Sequence, residues 1–568
     1  MNLLPKPQKI ELFDGQVKSK KFKIKNSCSD PRIEKALNCF KTDDDGIMLT
    51  LKISGEGGER YTLKISPDEI IIVGGSEAGV FYAIQTLKQI LENEEVPCLY
   101  IEDCPDMNYR GFYHDVTRGK IPKLSTIKKL IDTLAYYKIN SLQLYIEHVF
   151  PFKETVNIIK KTGCLSHDEI KEIDDYCYEN FIEFIPSIAC FGHLYELLQQ
   201  DKYKHLQCAE RYKEDQLVWY ERMNHHTIDP INDESIEIIK SMIDQYMPLF
   251  RSNKFNICCD ETFDLKNGKY RDRDTGRLYV DFVKKIVDHV RNCGKQPMMW
   301  GDIVLQYPEV IDELPDDLIF LNWDYKKNPQ EDKFKMLADS GKTQIVCPGT
   351  VTWSRLVECV DIANSNIIND LEYGYKYNAD GMLNTNWGDY GNPCSLEMSM
   401  HGLVLGAAKA WNRKTYVNED FENGICALMY KNSDAIKYIT ILDNVSKILD
   451  WTNMSKYYSN MINENKFDVT KPTEDDIIYC VENCKLIDRK LSSEKWERDE
   501  FRIEMLSAAK GLMIMAKFYA RLSEYKIDVD CNLEDWLMDY RKNWLKSNKE
   551  SELDKIEEMF RTLEEKLM

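Results

Sequence analysis

Eight times between residues 106 and 412, a short apolar run is followed by an amphipathic helical stretch. This repeat limits what the chain can fold into more than any other feature. The runs are RGFYHDV (110–116), SLQLYIE (141–147), IEFIPSI (182–188), FNICCDE (255–261), PMMWGD (297–302), LIFLNWD (318–324), QIVCPG (344–349) and GMLNTNW (381–387). Helical stretches such as LSTIKKLIDTLAYYK (124–138) and HDEIKEIDDYCYENF (167–181) separate them. Strands joined through helices lie parallel, because the crossover returns the chain to the same edge of the sheet. Eight such units over about 300 residues suit a closed (β/α)8 barrel. A doubly wound open sheet is the rival, but it would carry a Gly-rich phosphate loop after its first strand, and this sequence does not.

The flanking segments read differently. Residues 1–105 form an expected N-terminal α+β accessory domain, with strands at 61–66 and 69–75 and a helix at 77–92. Residues 413–568 show no strand pattern; 493–522 and 551–567 read as helices with apolar stripes, giving an expected C-terminal helical domain. The fold class expected is therefore α/β, a TIM barrel over 106–412 between these two domains.

Composition narrows the function. A net charge of −20 without a local Lys/Arg block repels phosphate backbones, so nucleic acid is not an expected partner. The opening MNLLPKPQKIELFDG lacks the basic-then-apolar pattern of a secretion signal, and no later run is long and apolar enough to span a bilayer. The expectation is a cytoplasmic protein with no membrane partner. The 18 cysteines include no C-x-x-C pair, which argues against a zinc ribbon or a disulfide framework. The nine histidines are spread out, and His225–His226 lack the spacing that puts two ligands on one helix face. No metal and no cofactor are expected, and the sequence carries no signal of oligomeric state.

In a (β/α)8 barrel the active site lies at the carboxyl ends of the strands. The residues there are Asp115 and Arg118, Glu147 and His148, the CFGH run ending at His193, Asp260 and Glu261, Trp300 and Asp302, Trp323 and Asp324, Trp353, and Trp387 with Asp389. Four of the chain's 10 tryptophans fall in these segments, and tryptophans beside carboxylates and an arginine make a sugar-binding composition. The adjacent pair Asp260–Glu261 carries the most weight. Neighbours on a strand point to opposite faces, so two acids entering one mouth require the chain to turn there. Burial beside tryptophan would keep one acid protonated for proton donation while the other stays ionised.

FNICCDETFDL (255–265) resembles the fourth-strand motif of glycoside hydrolase family 20, the β-N-acetylhexosaminidases, in which small residues precede an Asp–Glu dyad. RGFYHDVTRGKIP (110–122), FGH (191–193), WGD (300–302), NWD (322–324) and NWGD (386–389) resemble that family's other strand-end motifs, and residues 66–91 its accessory N-terminal domain. The resemblance implies an exo-acting retaining hydrolase that removes terminal β-linked N-acetylglucosamine or N-acetylgalactosamine from an oligosaccharide or glycoconjugate. The substrate's acetamido group would act as nucleophile, a departure from the two-carboxylate scheme. It further implies Glu261 as general acid/base, Asp260 orienting the acetamido N–H, Arg118 on the sugar hydroxyls, and Asp389 with Trp387 at O4 and O6. Trp300, Trp323 and Trp353 would wall the acetamido pocket, with His193 on the third-strand loop.

The chain departs from the common pattern in four places. Glu147 followed by His148 stands where an Asp is usual, either of which could reach the sugar. Cys258 and Cys259 replace two glycines. No tyrosine is evident after the seventh strand, leaving Trp353 or Tyr325 for that region. Asp389 replaces a Glu. Two other readings stand beside the family one: a conventional retaining glycosidase with Glu147 as nucleophile, and a sugar-binding barrel without catalysis.

Overall fold

The computed structural model describes residues 1–209, 219, 222–223, 226–463 and 468–567, apart from the side chains of 160–162. His225 lies outside them. Eight parallel strands close a barrel: β7 (Tyr109–Asp115), β8 (Ser141–Ile146), β9 (Glu183–Ile188), β10 (Lys254–Asn256), β11 (Gln296–Trp300), β12 (Ile319–Trp323), β13 (Thr343–Cys347) and β14 (Gly381–Asn386). β14 returns to β7 with Asn386 opposite His114, which completes the closure. Every residue of β7, β8 and β14 is buried, as expected of strands covered by helices outside and by packed side chains inside. The interior is solid: Tyr113 OH lies 2.9 Å from Ser187 Oγ, and Asn256 Nδ2 donates to Gln143 Oε1 at 2.9 Å.

The covering helices follow from their sequences. In His167–Glu179, Ser166 and Glu169 form a reciprocal capping box, and Ile170, Ile173 and Cys177 recur at helical spacing on the buried face. Phe181, left-handed at φ 57°, then turns the chain into β9.

Before the barrel comes a six-stranded sheet in the order β1-β6-β4-β5-β3-β2, built from β1 (Lys9–Gln16), β2 (Phe22–Asn26), β3 (Ile47–Ile53), β4 (Tyr61–Ile65), β5 (Glu69–Gly74) and β6 (Pro97–Asp103). The sequence reading found β4, β5 and the helix Glu77–Leu91 but missed the other four strands. After the barrel the chain is helical. The stretch read as one helix over 493–522 is the end of Glu474–Ser493 and all of Asp499–Leu522, separated at 494–498. Trp536, Phe518 and Trp451 converge on Phe560 to form part of the core of this region. Among the described residues no helix is long and apolar enough to cross a membrane.

Candidate active site

The fourth strand is where the structure departs most from the alternation expected of a strand. The run read to Glu261 pairs as a strand only to Asn256. Beyond it, Cys258, Cys259 and Glu261 take left-handed backbone angles (φ 55°, 64° and 48°). That conformation costs a residue with a side chain about 1–2 kcal/mol, so the surroundings must hold it in place. Ile257 N donates to Met298 O and Trp300 N to Cys258 O, which keeps the segment attached to β11. Cys258 N donates to Asn256 Oδ1 at 2.9 Å, and Tyr279 OH donates to Cys259 O at 2.9 Å. Glu261 N donates to Asp302 Oδ2 at 3.1 Å. The twist replaces alternation, so both acids enter the mouth. Gly192 is required opposite them: a Cβ there would lie 2.5 Å from Asp260 O.

The two carboxylates meet at one imidazole nitrogen. His193 Nε2 lies 3.3 Å from Asp260 Oδ2 and 3.2 Å from Glu261 Oε2, with the Glu261 side chain 24% exposed and that of Asp260 10%. Burial works to lower the pKa of His193, but the carboxylates of Asp260 and Glu261 outweigh it and hold the ring up at about 10. On the far side of the ring, Arg118 Nη2 stands 3.2 Å from Nδ1. A guanidinium only donates, so a hydrogen bond there would need a neutral ring with a bare Nδ1. The two demands conflict. Two carboxylates in a buried site outweigh one guanidinium contact, and Arg118 is itself neutralised by its own acids, so the imidazolium is favoured. The same three donors, His193, Asp260 and Glu261, lie within 4.8 Å of one another and could also face a cation; a ring that keeps its proton is a poor metal ligand.

Arg118 is the hub of the other half of the site. Its Nη1 reaches Asp389 Oδ1 at 2.8 Å and its Nε lies 3.3 Å from Glu147 Oε1. The guanidinium sits 5.0 Å from the Tyr145 ring centre and 5.2 Å from that of Trp387. Asp115 places it, accepting from the amides of Thr117 and Arg118 on Oδ1 and from that of Gly388 on Oδ2. Glu147 is buried and also accepts from Tyr145 OH at 2.9 Å. Burial raises the pKa of both Glu147 and Asp389, and Arg118 opposes the rise in each.

Of the two second-strand candidates, Glu147 joins this network and His148 does not. Burial pushes His148 down to about 4, so it is neutral, and its Nδ1, 3.9 Å from Glu147 Oε2, makes no ion pair. Its charged neighbours include Glu196, Arg222, Glu552 and Lys555.

The four tryptophans fall into one connected wall. Trp300 and Trp387 lie 5.7 Å apart, both packed on Tyr113 at 5.1 Å. Trp323 stacks on Tyr325 at 5.0 Å, and Trp353 lies 5.0 Å from that same ring. Trp387 Nε1 donates to Tyr325 OH at 2.7 Å, so Tyr325 joins the two halves of the wall. Cys258 and Cys259 are buried; burial, then the Asp260 charge, pushes the Cys258 thiol up to about 12, which makes it a packing residue and a poor nucleophile.

Asp302 was seen in the sequence only as a strand-end acid. Burial, reinforced by the charges of Asp260 and Glu261, raises it to about 8, so it keeps a proton at neutral pH while its Oδ2 holds the Glu261 amide. Its spacing of two from Trp300 gave no hint of this, because the contact depends on the left-handed turn at Glu261.

A closed barrel whose mouth combines paired carboxylates with a tryptophan wall is the architecture of a carbohydrate-active hydrolase. The chain belongs to glycosyl hydrolase family 20: the family's catalytic-domain model matches residues 107–412, and the model of its domain 2 matches residues 1–104. It is 27% identical over 296 residues to a beta-hexosaminidase of Porphyromonas gingivalis, covering 46% of this chain and 37% of that protein. It is 25% identical over 202 residues to hexosaminidase D of Bos taurus, covering 34% of this chain and 55% of that protein. These matches thus span less than two thirds of either relative. In fold it is similar to a chitobiase of Flavobacterium johnsoniae, with a TM-score of 0.61 at 17% identity over 98% of this chain and 99% of that one.

Proposed function

We propose that this chain is an exo-acting retaining β-N-acetylhexosaminidase, hydrolysing terminal β-linked N-acetylglucosamine or N-acetylgalactosamine from oligosaccharides or glycoconjugates with the substrate's acetamido group as nucleophile. The observation that carries the reading is the convergence of two adjacent acids, Asp260 and Glu261, on one side of the mouth at His193 Nε2. Around this point Asp115, Glu147, Asp260, Glu261, Asp302 and Asp389 gather about Arg118 and His193, with Arg222 also acting on Glu147. Asp302 already carries one proton in this crowd of acids, and a bound sugar that displaces water from the partly exposed Glu261 favours its protonated form as well.

Glu261, the more exposed of the pair, protonates the glycosidic oxygen. As the C1–O bond breaks, the acetamido carbonyl oxygen bonds to C1 and forms an oxazolinium ring. Asp260 accepts from the acetamido N–H and stabilises the positive charge that develops there. Glu261, now ionised, takes a proton from water, which attacks C1 and reopens the ring. Arg118 and Asp389 hold the sugar hydroxyls, Trp387 stacks on the pyranose, and Trp300, Trp323 and Trp353 close round the acetamido methyl with Tyr325 OH beside them. Glu147 serves as the counter-ion of Arg118, which argues against its use as the nucleophile of a two-carboxylate enzyme. The division into 1–105, 106–412 and 413–568 and a cytoplasmic place of work belong to the same proposal; the latter is supported by 18 free cysteines.

Nitrophenyl glycosides test it. Turnover of the β-N-acetylglucosaminide or β-N-acetylgalactosaminide without turnover of the plain β-glucoside is expected. Equal activity on the glucoside would overturn the acetamido-assisted route, and binding without turnover would leave only a sugar-binding barrel.

A further inference from the structure

Behind the sugar site, at the junction between the barrel and the C-terminal helices, lies a cavity of about 30 Å³ lined by Lys120, Cys394, Glu397, Glu504, Tyr540 and Trp544 among others. Lys120 is buried there, and among the described residues it has no carboxylate in ion-pair contact. Its ammonium instead donates to Cys394 O at 2.6 Å and Pro393 O at 3.1 Å, and lies 4.9 Å from the Trp544 ring centre. Tyr540 OH, from the helix Leu533–Ser547, donates to the same Pro393 carbonyl at 3.0 Å.

These contacts join two segments that each carry half of an ion pair in the sugar site. Lys120 follows Arg118 by two residues, and Pro393 follows Asp389 by four. Between them the backbones touch: Gly119 is left-handed (φ +94°), and a Cβ on it would lie 2.3 Å from Gly391 O. The C-terminal region also grips the Arg118 segment directly, with Lys549 N donating to Ile121 O, Lys123 N to Ser547 O, and a β-bridge between Pro122 and Asn548. A charged donor on two carbonyls is a strong, directional tie, and here it fixes the distance between Arg118 and Asp389.

We propose that Lys120, with Tyr540 of the C-terminal helical region, is a positioning residue of the sugar site. It sets the register of Arg118 against Asp389 and thereby the recognition of the sugar's O4 hydroxyl. This rests on the proposed assignment of Asp389 to O4. The expectation is an effect on binding rather than on bond cleavage, because the Asp260–Glu261 pair lies in the turn after β10, held by β11 and Asp302 and outside the clamp.

The test compares nitrophenyl β-N-acetylglucosaminide with its 4-deoxy analogue in wild type, Lys120→Met and Tyr540→Phe. Lys120→Met is expected to raise KM on the parent about tenfold, the loss of one charge-assisted hydrogen bond, with kcat within about threefold. Tyr540→Phe is expected to raise KM about threefold. On the 4-deoxy substrate neither variant should change KM by more than about twofold, since the contact being positioned is already gone. Equal losses on both substrates, or no loss on the parent, would overturn the proposal. Should Lys120→Met fail to fold, Tyr540→Phe decides alone by the same comparison. The 4-deoxy analogue is common to both C4 epimers, so the N-acetylgalactosaminide serves as parent where it alone is turned over. A wild type that turns over neither sinks the hexosaminidase reading and this proposal with it; wild-type turnover with equal losses on both substrates sinks this proposal only.

Discussion

Replacing His193 by Gln removes the group that both acids of the dyad face, and its consequence can be worked out from the site. In the folded protein the ring titrates at about 10 against an ordinary 6.5, because Asp260 and Glu261 overcome its burial. A base whose pKa is raised on folding contributes stability that is complete below its unfolded value and disappears as pH rises through its folded one. The window is therefore pH 6.5 to about 10. At about 1.4 kcal/mol per pH unit the whole contribution is at most about 5 kcal/mol. The ring is 1% exposed, so solvent screens it little. Guanidinium unfolding midpoints of wild type and His193→Gln, measured from pH 6 to 10, isolate it, since the other titrating groups largely cancel in the difference. The expected result is a constant advantage of wild type below pH 6.5 that shrinks steadily toward pH 10. A difference that stays flat across that window would refute the reasoning. It would mean that the ring is neutral and that Nδ1 accepts from Arg118 Nη2.

Glu261→Gln should lower kcat by about 100- to 10,000-fold, the usual worth of a general acid/base, with the dissociation constant for N-acetylglucosamine changed little; calorimetry and steady-state rates check both. Gly192→Ala places a methyl 2.5 Å from Asp260 O. The resulting shift of the dyad should cost about 100-fold in kcat, and a variant as active as wild type would contradict the packing described. Asp302→Asn retains an acceptor for the Glu261 amide but removes a proton lost at about 8. Above that pH the wild-type site gains another negative charge beside the dyad, so its kcat/KM should fall near pH 8. In the variant that fall should move to higher pH, and an unchanged alkaline limb would contradict the role given to Asp302.

The barrel was legible because its signal is local and repeated: each strand is a short apolar run, each helix an apolar stripe, and both follow from periodicity alone. The site candidates followed because a barrel puts its chemistry at strand ends. Arg118, Asp389, Trp387, Trp300, Trp323 and Trp353 do gather there, and Tyr325 links the last two to the rest. Local pattern could not show that β10 stops at Asn256, because three left-handed residues bearing side chains run against intrinsic preference and are held by Asp302, Tyr279 and β11. Nor could it separate Glu147 from His148, a choice made by Arg118 on one side and by Glu196 and Arg222 on the other. The sheet strand β1 was missed because its alternation, Lys9-Ile10-Glu11-Leu12, breaks at Phe13, and all but one of its eight residues are exposed, so no buried face sustains the pattern. The ties from Lys120 and Tyr540 to the segment after Asp389 bring together residues about 150 to 270 positions apart, beyond the reach of periodicity.

The most direct test of the account is the rate of hydrolysis as the acyl arm of the substrate is made a poorer nucleophile. In a series of aryl β-glucosaminides carrying acetyl, monofluoroacetyl, difluoroacetyl and trifluoroacetyl groups on nitrogen, each fluorine withdraws electrons from the carbonyl oxygen while changing size only slightly. If that oxygen attacks C1, kcat/KM falls steeply and monotonically along the series. A rate indifferent to fluorination would show that some other group makes the bond to C1.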